Sequence, residues 1–208
     1  MSELKRHDRE IQKPAADRPE TPFYREVDAD TVEAIGQKFR DSIPPGRLEA
    51  MKNLPTQFDN REEFNRAYEV ETGKKPESNV AGFAKGLDSS AHVVVENQSR
   101  VPEITAHERI HQAGHPNADR IFGNMYEGVT QDLTVKTQGF EIDDGTAAYP
   151  REHRAAEKLR EVCGDKPIEK AYFQGDGSDL KKCLENADLN QGKLRETGPS
   201  ERPLDRNS

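Results

Sequence analysis

Apolar positions cluster in the middle of the chain, and their spacing predicts the elements. From Asp30 the pattern turns helical: Val32, Ile35 and Phe39 recur near helical spacing, and Asp30 or Thr31 is placed to cap the start. Ile43-Pro44-Pro45-Gly46 breaks that run. A short helix is expected over 47–53. Another is expected over about 61–71, with Phe64 and Tyr68 inward and Val70 a further candidate, closed by Gly73 and Pro76. The run Ala91-His92-Val93-Val94-Val95-Glu96 is short and β-branched. A polar turn separates it from Val80-Ala81-Gly82-Phe83-Ala84, so the pair reads as a hairpin. Pro102 suits a first helical turn and Glu103 suits the positive end of a helix dipole; Gly114 and Pro116 stop the helix they open. A helix from about 118 to 136 carries the stripe Ile121, Phe122, Met125, Val129 and Leu133. After a loop over 139–146, three shorter helices are expected near 150–162, 167–173 and 178–187. The sum is a mostly helical α+β domain with one small antiparallel sheet, a hairpin, ahead of the helix that starts at Pro102.

Composition changes this picture at the ends. Apolar residues make up 32% of the 208 and charged residues 34%, with no Trp, so a core can form only if the apolar residues are concentrated. Residues 1–22 hold almost nothing to bury, and 189–208 are rich in Gly, Pro, Arg, Glu and Asn. The expected organisation is a folded unit over 23–188 between two disordered tails. The net charge of −8, with no basic stripe, argues against a nucleic-acid partner. No apolar run approaches the ~20 residues that span a bilayer. The N-terminus also lacks the apolar core of a secretory signal. The expected location is therefore cytoplasmic, or outside the cell by a route that needs no such signal. Cys163 and Cys183 flank a short helical stretch; the expected state is two free, partly buried thiols rather than a bridge.

Candidate chemistry sits in His107-Glu108-Arg109-Ile110-His111, an H-E-x-x-H segment. Residues four apart on a helix share a face, so both imidazoles can reach one ion at about 2.0–2.1 Å. Glu108 points to the same region and can take a proton from water there. A competing role exists. Thr105-Ala106-His107-Glu108 fits a capping box, which would turn Glu108 back onto the backbone, unless the helix starts earlier at Pro102. A catalytic zinc needs a third protein ligand. His115 is four residues beyond His111, but Gly114 and Pro116 interrupt the helix between them. Asn117 stands where a longer pattern would place a third His, and its amide is a poor zinc ligand. Glu127 lies on the next helix, off its apolar stripe, with Gly123 and Gly128 beside it to let the two helices approach; the plain alternative is a solvated surface acid.

These residues resemble the zincin superfamily of metallopeptidases, and within it the gluzincin type, in which H-E-x-x-H lies on one helix and a Glu from a following helix completes the site. The resemblance covers roughly Val80 to Val135 and rests on His107, Glu108, His111 and the pair Glu127-Gly128. It implies Zn2+ held by His107, His111 and Glu127, a water activated by Glu108, and hydrolysis of a peptide or protein substrate. It also implies an edge strand just before the metal helix that pairs with extended substrate, for which Ala91–Val95 is in the right place. Related enzymes use a Tyr or His to stabilise the oxyanion. Tyr149 is the preferred candidate here, ahead of His153, Tyr126 and His92. Asp132 or Asp119 is expected to orient a ligand imidazole. Two other classes stay open: a non-catalytic, zincin-like binding protein, and a secreted toxin or effector with a delivery or inhibitory partner protein.

Overall fold

The computed structural model describes residues 22–139 and 149–196. The tails expected at the two ends fall largely outside these residues, as does most of the loop over 139–146. The described chain is a mostly helical α+β fold: nine helices and a three-stranded sheet. Helix α1 (Pro22–Lys38) is followed by α2 (Pro45–Lys52), strand β1 (Gln57–Asp59), α3 (Arg61–Thr72), β2 (Gly82–Phe83) and β3 (His92–Val94). The second half is helical: α4 (Val101–Ala113), α5 (Ala118–Phe122), α6 (Tyr126–Gln138), α7 (Pro150–Cys163), α8 (Asp165–Gln174) and α9 (Ser178–Glu196).

Local chemistry accounts for several of these bounds. Asn60 accepts a hydrogen bond from the Glu63 amide at 3.0 Å while Glu63 accepts one from the Asn60 amide at 3.2 Å, a complete capping box for α3. Phe64 is its buried anchor, whereas Val70 is 80% exposed and does not face inward. Helix α1 begins well before Asp30, so neither Asp30 nor Thr31 caps it. Its first half is held by tertiary contacts: Tyr24 stacks on Phe58, and Asp28 accepts a hydrogen bond from the Thr56 hydroxyl at 2.6 Å.

The expected hairpin is present, with Gly82 opposite Val93 and Phe83 opposite His92. A third strand joins it. β1 runs parallel to β3, pairing Phe58 with Val93, which puts β3 in the centre of the sheet. Three residues without alternation leave no readable strand signal, which is why β1 is absent from the sequence reading.

Helix α4 runs through the middle of the molecule, with nine of its thirteen residues buried. It packs against α1, α2, α6 and the sheet. The single helix expected over 118–136 is two helices, separated at Gly123 (φ 52) by a 3-10 turn, Gly123–Met125. Phe122 fills the core before the break; Val129 and Leu133 fill it after. The helix expected to stop near Ala187 continues as α9 to Glu196. Cys163 and Cys183 form a disulfide between the end of α7 and α9, so the expectation of free thiols is overturned. Among the described residues, no helix is long and apolar enough to cross a membrane.

Candidate metal centre

Helix α4 starts at Val101, with Pro102 in its first turn. Thr105 is therefore inside the helix rather than at its cap, and its buried hydroxyl has no partner among the described residues. The capping role that competed for Glu108 is gone. His107 and His111 project from one face of α4, and the break at Gly123 sets Glu127 in the first turn of α6, opposite them.

The three side chains converge. His107 Nε2 and His111 Nε2 are 3.1 Å apart, and each lies 3.2 Å from Glu127 Oε2. Bonds of 2.0–2.1 Å in a tetrahedral zinc site put neighbouring ligand atoms about 3.3 Å apart. The observed triangle is of that size, so the donor set and its spacing fit zinc. The cluster is also the one group of three or more His, Cys, Asp or Glu side chains among the described residues whose ligand atoms converge in this way.

The outer nitrogens of both imidazoles are engaged. Gln131 Oε1 lies 3.0 Å from His107 Nδ1. An amide oxygen only accepts, so Nδ1 carries a proton and Nε2 is the nitrogen left to face the cluster. Thr130 Oγ1 lies 3.5 Å from His111 Nδ1, donates to the Tyr126 carbonyl at 3.0 Å and sits 2.7 Å from the Tyr172 hydroxyl. Gln131 and Thr130 thus fill the orienting role expected of Asp132 or Asp119. Asp132 is buried against Arg160 (3.3 Å) and His153 (3.9 Å), and Asp119 is exposed at the cleft.

Electrostatics separates the two carboxylates. Burial pushes Glu108 up to about 7, with His107 opposing and Glu127 adding to the shift. Burial also acts upward on Glu127, but hydrogen bonds and charge from the two imidazoles outweigh it and hold this carboxyl far below its usual range. The Glu108 side chain lies against the backbone of β2: a Cβ at Gly82 would come within 2.6 Å of Glu108 Oε1 and 2.7 Å of its Cγ. A side chain at position 82 would displace the Glu108 carboxyl from this place.

A cleft of about 710 Å³ opens over the cluster, lined by Glu108, Glu127, Tyr149 and residues of β2 among others. Tyr149 stacks on the His107 ring with centroids 5.8 Å apart. Burial, reinforced by Glu127 and Glu108, pushes its phenol up to about 12, so it remains a proton donor at neutral pH. The other candidates are differently placed. Tyr126 lines the cleft and packs on His111. His153 is buried beside Asp132 on α7. His92 lies between Asp59 (2.7 Å) and Glu71 (3.5 Å), stacked on Phe83. His115 lines the cleft outside the cluster, its Nδ1 accepting from the Asn117 amide.

Two expectations need correction. Both edges of β3 are paired, so Ala91–Val95 offers no free edge to a substrate; β2 is the edge strand that borders the cleft. Gly128 does not bring α6 onto α4. It faces α7, where a Cβ would meet the Glu152 carbonyl carbon and oxygen at 2.2 Å.

No family model, curated protein or solved structure matches this chain.

Proposed function

We propose that the chain is a zinc-dependent hydrolase of the gluzincin type that cleaves peptide bonds. The observation that carries this reading is the triangle of His107 Nε2, His111 Nε2 and Glu127 Oε2, with Glu108 buried on the same helix and lining the same cleft. When bound, zinc supplies Lewis acidity that polarises a carbonyl and makes water more acidic. Glu108, as general base, accepts a proton from the attacking water and delivers it to the leaving amine. Its burial in a site walled by β2 raises its proton affinity toward the value that both transfers need. The protonated Tyr149 hydroxyl donates to the oxygen that gains charge as the carbonyl is attacked. Gln131 and Thr130 hold the imidazoles in the tautomer and orientation that leave Nε2 free to bind.

The test is metal analysis joined to turnover. The purified protein is expected to hold one zinc per chain, and His107→Ala and Glu127→Ala to lose it. Glu108→Gln is expected to keep the metal and lose at least about 100-fold in hydrolysis of a peptide mixture read by mass spectrometry. Zinc retained by both ligand variants would overturn the site; undiminished turnover in Glu108→Gln would overturn the mechanism.

The secreted-effector reading is favoured by one observation, the Cys163–Cys183 disulfide, because such bridges persist in oxidising compartments. Toxicity of the exported chain to a recipient cell, abolished in Glu108→Gln, would support it.

A further inference from the structure

The wall of the cleft above the cluster is chemically mixed. Part of it is Tyr68, Val80 and Phe83, side chains that belong to the small core formed with Phe64 and Val94. Another part is Arg47, in the first turn of α2. Arg47 Nη1 donates to the Gly114 carbonyl at 2.8 Å. Gly114 caps α4 three residues after His111, so the guanidinium is tethered at the C-terminal end of the helix that carries both imidazoles. Among the described residues this is Arg47's one side-chain hydrogen bond, and it has no ion-pair partner. Partial burial lowers the pKa of its guanidinium, with no acid offsetting the effect. A partly desolvated cation with no counter-ion keeps its open N–H groups available to water or to an anionic ligand that enters the cleft. The other cation at the cleft, Lys85, is engaged with the Glu71 carbonyl. Asp119 lines the same cleft, but it is exposed to solvent, where its repulsion is screened.

We propose that Arg47 forms a carboxylate-binding subsite, which makes the cleft selective for peptides with a negative charge a short distance from the bond to be cut. The proposal rests on the hydrolase reading and names part of its substrate class. The planar guanidinium keeps N–H groups free to meet a carboxylate side by side, a geometry that a lysine does not offer. That carboxylate comes from an Asp or Glu side chain or from the peptide C-terminus, since both present the same fork of oxygens.

Binding without turnover tests this. Four acetylated tripeptides are titrated by calorimetry into zinc-loaded Glu108→Gln protein and into metal-free wild type, and the Arg47 Nε–Hε resonance is followed in the proteins that carry it. They are acetyl-Gly-Phe-Glu-amide and its Gln counterpart, and acetyl-Gly-Phe-Gly with a free or an amidated C-terminus. At least one charged member is expected to bind about tenfold or more tighter than its neutral twin, and the pair that differs identifies the source of the carboxylate. Arg47→Met is expected to equalise each pair, while Arg47→Lys keeps part of the difference and guards against a folding defect in the first variant. Equal binding of charged and neutral twins to both proteins carrying Arg47 would overturn the subsite. So would a charge preference that survives Arg47→Met. Because no step depends on hydrolysis, a charge preference in a protein that cuts nothing would sink the enzyme reading and leave the subsite standing.

Discussion

Glu108 carries a nearly buried carboxyl whose pKa stands at about 7 in the metal-free fold, against 4.5 for the unshifted group, because burial disfavours its charge. In the unfolded chain the same carboxyl ionises at its ordinary pKa. Between pH 4.5 and 7 the folded state therefore binds more protons than the unfolded state. This group's contribution to stability is full below 4.5 and is lost as pH rises through 7. The loss amounts to about 3 kcal/mol at most. Thermal unfolding of zinc-free protein should show the wild type losing stability relative to Glu108→Gln across that window; parallel curves would contradict the burial argument. His107, Glu108 and His111 are readable from the sequence because they lie within five consecutive residues. Glu127 is readable only as a candidate, since its convergence depends on how two helices meet. Gln131 and Thr130 are missed, although a signal exists: they stand four and three residues after Glu127 and so share its face of the helix.

Helix α6 shows how an element places a residue. The stripe Ile121/Phe122/Met125/Val129/Leu133 reads as one continuous helix because apolar spacing does not register a local break. Gly123, adopting a positive φ, makes that break and starts α6 afresh just before Glu127. The rest of its orientation comes from α7, which lies so close that Gly128 admits no side chain. Gly128→Ala would press a methyl into the Glu152 backbone, which can yield only by moving a helix. The expected cost is about 1–3 kcal/mol. A drop of about 2–4 °C in Tm per kcal/mol should follow, with weaker zinc binding in a metal titration because Glu127 moves with the helix. Unchanged zinc affinity would mean that α7 does not set the ligand's position. The same dependence on distant partners hides β1 and the first half of α1, whose contacts are with each other and with α4 rather than along their own sequence.

At the scale of the molecule, α4 and α6 form the interior, while the disulfide secures the far side, where α9 lies against α7. The bridge closes a loop between positions 20 residues apart, and constraining the unfolded chain by such a loop contributes about 3 kcal/mol. Cys163→Ala with Cys183→Ala should therefore lower Tm by about 6–12 °C, and reductant should do the same to the wild type only. Zinc content should be unaffected, since no ligand lies on α7 or α9. Equal Tm values for the two proteins would show that the bridge adds no stability.

Arg109 gives the metal segment a second identity. It is fully buried in the middle of H-E-x-x-H. Its guanidinium donates to both oxygens of Asp28, at 2.8 and 2.5 Å, and to the Met51 and Leu54 carbonyls, so it ties α4 to α1 and to the end of α2. Arg109, which follows the proposed general base, is thus a tether with several bonds to lose. A descendant of this chain without the proposed chemistry would be free to drift at Glu108 yet constrained at Arg109 and Asp28. Sequencing such variants would separate selection for catalysis from selection for a folded scaffold within five adjacent codons.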